Sequence, residues 1–427
     1  MLTLVHIVVI CIFLSVYVWS LYNLPILAAG VKNLRRNRGR VNKRRSKKTT
    51  LPSFSIIVPV KDEEKVIERL LTALSRVRYP ADKMEIIIVE DGSTDKSFDV
   101  CREYAERSSL NMKVLRKPVS DGKPSALNFG INHARGEIIG VFDADNVPAP
   151  DTLLNVCKYF DDPKVAAVQG RTLSINSEEN MLTKFLSYEE AVWCEAYLRG
   201  KDVLGLFVHL RGSCQFLRRE ILEKLNGFDE KALSEDMELS ARLTEKGYRI
   251  RYAPDVRAWQ ENPSSFKELF KQRIRWFRGT MMVAFKYGRL LTRPSKETVD
   301  AETTLIAPFI LIISLITYFA AFFSFFLSTP FAHIWHFLMQ LAIAITSGTL
   351  LLCGFALIYA SKPRSFKSLL WVPFIYLYWS MQAFIALYAL LLTLLKRPIK
   401  WEKTAKNGVA TIPAQEFLLS SADLNAS

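Results

Sequence analysis

Two carboxylates one residue apart, Asp143 and Asp145, are the residues of this sequence best suited to chemistry. They end the short apolar run 138–142, which is typical of a buried strand. On an extended backbone residues i and i+2 point to the same side, so we expect both side chains to face the crevice beyond the strand's carboxyl end, where ligands bind in open α/β sheets. Two hard oxygen donors there suit Mg²⁺ or Mn²⁺ held against a diphosphate. An aspartate-rich turn before Pro148 and Pro150 is the alternative that this motif alone leaves open.

Strands alternate with helices around this motif, and that alternation predicts a mostly parallel, doubly wound α/β sheet. A second strand also ends in carboxylates, Glu90 and Asp91. Gly92 permits a tight turn after them, and Ser93 or Thr94 is expected to cap the next helix. The strands are predicted at 54–60, 85–89, 112–115, 137–142 and 165–171, and the helices at 65–75, 124–135 and 180–199.

Hydrophobicity and charge are unevenly distributed over the 427 residues, which are 50% hydrophobic and carry a formal net charge of +15. Residues 4–30 contain no charged side chain and are long enough to span a membrane. The stretch 32–48 contains ten Lys or Arg and no acid. Flanking basic residues stay in the cytoplasm, which predicts an amino-terminal anchor followed by a cytoplasmic domain. A nucleic-acid-binding tail is the less favoured alternative, and we expect no nucleic-acid partner.

Three later apolar runs are also long enough to span, so we expect a multi-pass protein of the cell membrane. They cover residues 305–329, 334–360 and 369–395. Three crossings would place the basic stretch 396–404 outside, against the positive-inside tendency. We therefore expect one run to be re-entrant or interfacial and the tail to be cytosolic, with disorder from about Gln415. The six scattered cysteines form no CxxC pair, so neither a zinc site nor a disulfide framework is indicated.

Four short motifs occur in one order along the predicted α/β domain. They are FSIIVPVKDEE at 54–64, IVEDGSTD at 88–95, GKPSALN at 122–128 and FDAD at 142–145. In this combination they resemble the family 2 glycosyltransferases with the GT-A fold. The resemblance implies a nucleotide-sugar donor, which we expect to be a UDP-sugar, and a divalent metal. It also implies that Asp145 is the direct metal ligand and that Asp143 supports the nucleotide and diphosphate.

The same resemblance implies a nucleotide pocket at the ends of the first strands. Asp91 would bind the uracil or the ribose, because a carboxylate accepts hydrogen bonds from a base edge or a hydroxyl. Pro59, Val60 and Glu63 would line that pocket. For Glu63 the alternative is a solvated residue at a helix start, where the helix dipole favours it. Lys123 would act as a point charge towards the diphosphate, and a surface lysine is the alternative.

Two later stretches resemble the acceptor side of the family. In LSED, residues 233–236, the resemblance implies that Asp236 is the general base that deprotonates the acceptor hydroxyl in an inverting transfer, with Glu235 beside the acceptor. The alternative is two acids that complement a helix dipole. Gly212 and Ser213 correspond to a loop that borders the acceptor sugar. Here Arg211 precedes them, where cellulose synthases have a cysteine, so acceptor contacts at this loop stay open.

The sequence QRIRW at 272–276 matches a motif of the membrane-bound branch of the family, which includes the hyaluronan, cellulose and poly-N-acetylglucosamine synthases. Gln272, Arg275 and Trp276 are spaced i, i+3, i+4 on one helix face. The resemblance implies that Arg275 binds the diphosphate and that Trp276 carries a sugar ring. A basic amphipathic interface helix over 267–286 is the alternative, and it is compatible with the motif.

We therefore expect a membrane-integrated, metal-dependent, inverting hexosyltransferase that extends a β-linked polysaccharide. Transfer of one sugar to a membrane lipid is the second hypothesis, and a catalytically silent scaffold is the third. Membrane lipids are expected partners, and homo-oligomerisation stays open. The expected organisation is an anchor at 1–30, a basic segment at 31–50, a GT-A domain at 51–262, interface helices at 263–300, a membrane region at 301–397 and a tail at 398–427.

Overall fold

The computed structural model describes residues 4–36, 50–288, 290–292, 294–324, 332–360, 366–398, 406 and 408–409. The chain forms two compact units. The sheet unit comprises Asn37–Glu190, Phe207–Glu268 and Trp401–Ser427. The helical unit comprises Met1–Arg36, Ala191–Leu206 and Leu269–Lys400. Most of the predicted basic segment, the stretch 399–405 and the predicted disorder from Gln415 lie outside the described residues.

One eight-stranded sheet organises the described part of the sheet unit. Its strands are β1 (Phe54–Val60), β2 (Met84–Glu90), β3 (Met112–Arg116), β4 (Ile138–Val141), β5 (Val147–Pro148), β6 (Val165–Ser174), β7 (Gln215–Arg218) and β8 (Arg249–Gln260). They lie in the order β3-β2-β1-β4-β7-β6-β8-β5. The neighbours β3, β2, β1 and β4 are parallel, as the alternation of strands and helices predicts. This confirms the predicted fold class.

Helices cover the sheet because their apolar faces repeat at helical spacing. In α2, for example, Ile67, Leu70, Leu71 and Leu74 are all buried. They join the strand residues Phe54 and Ile56 and others in one core cluster. The helices of this unit are α2 (Ile67–Ser75), α3 (Ser97–Arg107), α4 (Lys123–Ile131), α5 (Thr152–Cys157), α6 (Met181–Val192), α8 (Arg219–Lys224) and α9 (Glu235–Glu245). The last residues of α6 belong to the helical unit.

The strand directions gather particular residues at one edge of the sheet. Strands β1, β2 and β4 are parallel, so their carboxyl ends meet there. Strand β7 is antiparallel to β4, so its amino end lies at the same edge. Strand β6 is antiparallel to β7, and β8 is parallel to β6, so the carboxyl end of β8 lies there too. We call this edge, marked by Asp91, Asp143, Ser213 and Glu261, the carboxyl edge.

The helical unit contains α1 (Leu4–Arg36), a π-helical turn at Trp193–Leu198 that continues into α7 (Arg199–Leu204), most of α10 (Phe266–Tyr287), α11 (Lys296–Leu305), α12 (Ala307–Ser324), α13 (Ala332–Ala360) and α14 (Val372–Leu394). Among the described residues, Ile10–Arg36, His336–Tyr359 and Leu369–Leu394 are long and apolar enough to cross a membrane. Helices α11 and α12 meet at a bend of 53° and count as a fourth candidate only if they form one broken span or a re-entrant loop. The bend lies at the start of the first predicted apolar run, and the number and direction of crossings stay predictions.

A buried ion pair holds three helices of this unit together. Lys201 Nζ lies 3.0 Å from Asp300 Oδ2, and both side chains have no exposed surface. Lys201 also donates to Thr304 Oγ1 at 2.6 Å, and the hydroxyl of Tyr22 donates to Asp300 Oδ1 at 2.8 Å. These bonds satisfy charges that would be costly to bury alone.

The structure corrects three local predictions. Asp143 and Asp145 follow β4 in a turn rather than on an extended strand, because the ladder ends at Val141. Neither Ser93 nor Thr94 caps a helix, because α3 begins at Ser97. The predicted helices at 124–135 and 180–199 have different bounds, since α4 ends at Ile131 and α6 passes into the π-helical turn.

Candidate active site

The end of β2 builds a polar pocket at the carboxyl edge around Asp91, which is 3% exposed. The Asp91 N–H donates to Val60 O at 2.9 Å, which joins the ends of β1 and β2. Asp91 Oδ2 accepts hydrogen bonds from Ser120 Oγ at 3.0 Å and from the Gly122 N–H at 3.2 Å. Lys117 Nζ lies 3.6 Å from Asp91 Oδ1. A carboxylate held in this way can accept a donor group of a nucleoside, as predicted for Asp91.

Two other predicted pocket residues lie near the carboxyl end of β1 and in the turn before α2. Pro59 is half-buried near the end of β1. Glu63 lies in the turn before α2, where its N–H donates to Ser97 Oγ at 2.6 Å and its carbonyl accepts from the N–H groups of Val66 and Ile67. Glu63 therefore lies in the turn that precedes α2, and its charge adds to that of Asp145 in raising the pKa of Lys406. A contact of Glu63 with the nucleotide stays a prediction.

The turn after β4 is held by side chains. The Asn146 N–H donates to Asp143 O at 2.9 Å, which closes the turn. The Asp143 N–H donates to Ser213 Oγ at 2.9 Å, and that hydroxyl donates to Asn146 Oδ1 at 2.7 Å. Ser213 is 2% exposed. The structure thus gives Ser213 a role in shaping the turn, and contact with an acceptor stays a prediction.

Asp145 forms the centre of a cluster of charges. Its Oδ2 accepts hydrogen bonds from Lys406 Nζ at 2.5 Å and from the Glu261 N–H at 3.3 Å. Lys406 Nζ also donates to Glu261 O at 2.8 Å. Arg69 donates to Asp145 O at 3.2 Å and pairs with Glu261 Oε1 at 2.9 Å. Burial disfavours the Asp145 carboxylate, but Lys406, the Glu261 N–H and Arg69 together hold its pKa below the usual range.

The surroundings of the Lys406 ammonium show whether the oxygen atoms of this site suit a metal ion. A cation is already accommodated between Asp145 Oδ2 and Glu261 O, and both are hard oxygen atoms of the kind that Mg²⁺ and Mn²⁺ bind. Within the described ranges no group of three or more His, Cys, Asp or Glu side chains could hold a metal. Magnesium sites with one or two carboxylates are completed by water and substrate phosphates. The residues therefore fit a metal that arrives with a diphosphate.

Lys123 joins the turn after β4 to the start of α9. Its ammonium lies 2.8 Å from Asp143 Oδ1 and 3.2 Å from Glu235 Oε1, and it donates to Gly212 O at 2.9 Å. Although burial opposes the charge, Asp143 and Glu235 raise the pKa of Lys123 above its ordinary value. Burial raises the pKa of Asp143 in turn, while Lys123 opposes that rise. Lys123 is therefore a permanent cation between two groups of carboxylates.

Asp236 lies in the first turn of α9 with properties opposite to those of Asp145. Burial raises its pKa to about 6, and the charge of Glu235 adds to the rise while Lys123 and the Met237 N–H oppose it. Gly212 has φ of +79°, and a Cβ there would lie 3.2 Å from Lys123 Nζ and 3.3 Å from Asp236 Oδ2. A glycine thus permits both the positive φ of the turn and the close approach of these two charged groups to the backbone of residue 212.

The predicted motif residues Gln272, Arg275 and Trp276 belong to the helical unit, on α10. This confirms that they share one helix. Trp276 is 38% exposed, and the Arg273 guanidinium lies 4.3 Å from its ring centroid. Donor and acceptor contacts of these three residues stay predictions.

Sequence reasoning missed Arg69, Lys117, Glu261 and Lys406. Glu261 follows β8 directly, so the rule that drew attention to Asp91, a carboxylate at a strand end, could have found it. Lys406 is 261 residues away from Asp145 along the chain, and no local pattern signals that pairing.

Comparisons with known proteins identify the family and the fold of this chain. The family described as "Glycosyltransferase like family 2" matches residues 52–279, more than half of the 427-residue chain. A solved structure, the mannosyltransferase PcManGT from Pyrobaculum calidifontis in complex with GDP-Man and Mn²⁺, shares the fold with a TM-score of 0.56 and 22% identity, over 90% of this chain and 100% of that one.

Three curated relatives match the chain in sequence. "Probable glycosyltransferase YdaM" of Bacillus subtilis is 34% identical over 275 residues, or 64% of this chain and 66% of that protein. The beta-monoglucosyldiacylglycerol synthase of Nostoc sp. is 35% identical over 250 residues, covering 57% and 52%. The poly-beta-1,6-N-acetyl-D-glucosamine synthase of Staphylococcus aureus is 28% identical over 230 residues, covering 54% and 55%. The chain thus spans between half and two thirds of the length of these relatives. The family match and the carboxyl edge together show that this chain belongs to the family 2 glycosyltransferases and has their GT-A fold.

Proposed function

We propose that this chain is a membrane-integrated, inverting glycosyltransferase that transfers a hexose from a nucleotide sugar, a UDP-sugar in our expectation, to a growing β-linked polysaccharide. One observation carries the proposal. The carboxyl edge holds Asp145, whose pKa is lowered and which contacts the ammonium of Lys406. The sheet unit also holds Asp236, whose pKa is raised to about 6. Inverting transfer needs both environments, one for the leaving diphosphate and one for the incoming hydroxyl.

The donor side is assigned to the ends of β1, β2 and β4. Asp91 orients the nucleoside through its fixed carboxylate. Asp145 would hold Mg²⁺ or Mn²⁺, which neutralises the charge that develops on the leaving diphosphate. The solved mannosyltransferase is a complex with Mn²⁺, which supports a divalent ion. Asp143 keeps Lys123 beside the diphosphate, so that this cation lies where negative charge grows.

The acceptor side is assigned to the start of α9. Asp236 takes the proton of the acceptor hydroxyl as that oxygen attacks the anomeric carbon from the face opposite the diphosphate. A carboxylate with a pKa of about 6 is largely ionised at neutral pH and is a better proton acceptor than an ordinary aspartate. Lys123 opposes the rise in the pKa of Asp236, so it keeps the base ionised.

Two of the relatives point to different classes of acceptor. The poly-N-acetylglucosamine synthase supports a polymer, and the diacylglycerol glucosyltransferase fits a lipid. Gln272, Arg275 and Trp276 favour the polymer, because they match the motif of the polysaccharide synthases. The candidate spans Ile10–Arg36 and Leu369–Leu394 support a site of action at a membrane for either acceptor.

A product assay decides between the acceptors. The full chain in lipid nanodiscs is incubated with Mn²⁺ and a panel of labelled nucleotide sugars, and the products are separated by size and by lipid extraction. A ladder of oligosaccharides is the expected result. A single labelled glycolipid would replace the polymer with a lipid acceptor. No turnover with any donor would refute the enzymatic function and favour a silent scaffold.

A further inference from the structure

The backbone of the Asp143–Asp145 turn has no strand ladder to hold it. Strand β4 ends at Val141, and β5 begins only at Val147. The orientation of the Asp145 carboxylate must therefore come from contacts outside regular secondary structure. Asp145 is 6% exposed, so each of these contacts acts in a nearly dry environment.

Arg69 and Glu261 supply two of those contacts, from parts of the sheet unit that are distant along the chain. Arg69, on α2, donates to Asp145 O at 3.2 Å and so holds the backbone of the turn. Glu261, directly after β8, donates its N–H to Asp145 Oδ2 at 3.3 Å and so holds the carboxylate. The two residues also bind each other at 2.9 Å, with side chains that are 18% and 3% exposed.

A second observation connects this pair to the ammonium group of Lys406. Glu261 O accepts a hydrogen bond from Lys406 Nζ at 2.8 Å, next to the contact between Lys406 Nζ and Asp145 Oδ2. Glu261 thus makes three different contacts. Its carbonyl accepts from Lys406, its N–H donates to Asp145, and its side chain pairs with Arg69. A shift of Glu261 would move the two oxygen atoms that face the cation.

The energetics of buried ion pairs indicate that the pair of Arg69 and Glu261 positions its neighbours rather than stabilises the fold. A buried pair is often replaceable by apolar residues without loss of stability, because desolvation offsets the attraction. In contrast, removing a residue that orients a metal ligand without touching the metal typically lowers metal affinity by about 10- to 100-fold.

We propose that Arg69 and Glu261 are positioning residues that orient Asp145 for the metal and diphosphate of the donor. This inference rests on the proposed function and assigns the pair a part in it. Neither residue is expected to touch the sugar. Their loss should therefore weaken the response to metal while nucleoside binding through Asp91 is kept.

The test is a Mn²⁺ titration of the purified full chain in nanodiscs with UDP present. Electron paramagnetic resonance measures the bound Mn²⁺. UDP binding without metal is measured in parallel by calorimetry. For Arg69→Met and Glu261→Gln we expect the half-saturating Mn²⁺ concentration to rise by about 10- to 100-fold. Arg69→Lys should recover only part of the affinity, because both contacts are made by the terminal Nη2 of Arg69 and a lysine side chain places its ammonium differently.

A matched control lies at the opposite end of the strands. Lys113→Met breaks the pair of Lys113 with the buried Glu85, which are 3.1 Å apart near the amino end of β2. It removes a cation from a buried carboxylate, as Arg69→Met does, and should leave the Mn²⁺ titration unchanged. If Arg69→Met fails to fold, the double variant Arg69→Met/Glu261→Met, which leaves neither charge unpaired, takes its place.

The outcomes separate the two levels of the proposal. Native protein that binds Mn²⁺ with UDP, together with folded variants whose titrations are unchanged, would overturn the positioning role and leave the proposed function standing. Native protein that shows no Mn²⁺-dependent UDP binding would overturn both. An equal loss in Lys113→Met and Arg69→Met would assign the effect to general stability and would also overturn the inference.

Discussion

Two aspartates of the sheet unit, Asp145 and Asp236, show how one residue type acquires opposite properties. Both are charged groups in confined surroundings. Asp145 is contacted by Lys406, Arg69 and a backbone N–H, and its pKa is lowered. Asp236 has Glu235 beside it, and its pKa is raised to about 6. The first environment stabilises a permanent anion that binds cations, and the second produces a proton acceptor.

Lys123 explains how the two environments coexist. It lies 2.8 Å from Asp143, beside the turn of Asp145, and 3.2 Å from Glu235, beside Asp236. Lys123 therefore pairs with one acid on each side. The pKa of Asp145 is lowered by Lys406 and Arg69, whereas that of Asp236 is raised by burial and by Glu235. Variants that remove one neighbour at a time can break or sharpen this contrast.

Asp236→Asn should have the largest effect on turnover. Loss of a positioned base is expected to lower kcat by about 10²- to 10⁴-fold, while UDP binding remains. Turnover of labelled donor and calorimetric UDP binding measure the two quantities. Glu220→Gln, on the exposed surface of α8, serves as the control. Asp236→Asn with near-native kcat would refute the assignment of the base.

Asp145→Asn should act on metal-dependent donor binding. Because it removes the carboxylate that faces the cation, we expect the affinity for Mn²⁺ with UDP to fall by at least about 100-fold. Asp143→Asn should cost less, because the Asp143 carboxylate is paired with Lys123. Calorimetry with and without EDTA gives both values. Equal losses in the two variants would contradict the division between them.

Gly212→Ala should disturb both sides of Lys123. The residue has φ of +79°, and an added Cβ would lie 3.2 Å from Lys123 Nζ and 3.3 Å from Asp236 Oδ2. A backbone strain of about 1–3 kcal/mol is expected from the positive φ, with a further loss of kcat from the displaced side chains. Gly247→Ala separates the two effects, because φ is +77° there and nothing lies within 4 Å of the added Cβ. Equal kcat in both variants would exclude a specific role for Gly212.

Glu235→Gln should produce the smallest change, a shift in pH dependence. Asp236 acts as a base when ionised, so kcat/KM should fall as the pH drops below about 6. The charge of Glu235 raises the pKa of Asp236, so its removal should move this acidic limb to lower pH. A pH profile measures the shift, with Glu245→Gln near the end of α9 as the control. A limb that moves upward would contradict the electrostatic explanation.

The sequence predicts those site residues that combine a reactive side chain with a recognisable local structure. Asp91 and Asp143 each follow an apolar strand, which makes them recognisable in the sequence, and the parallel order of β2, β1 and β4 brings them to one edge. The antiparallel β7 and the long β8 complete that edge, and their pairings connect parts of the chain that no local period relates.

The electrostatics of the site could not be predicted in this way. Whether an aspartate is a better anion or a better base depends on neighbours such as Arg69 and Lys406, which lie 76 and 261 residues from Asp145. The resemblance to the family supplied the roles of Asp145 and Asp236 instead. The structure then gives a physical reason for expecting those roles to differ.

The position of Lys406 in the chain has a consequence for biosynthesis. The sheet unit is assembled from three separate stretches, and Lys406 belongs to the last, Trp401–Ser427, which follows all the helices of the helical unit. A ribosome therefore makes Asp145 and Glu261 long before their cationic partner. The contact of Asp145 with Lys406 can form only after the final candidate span, Leu369–Leu394, has been synthesised, whereas Arg69 is available from the start.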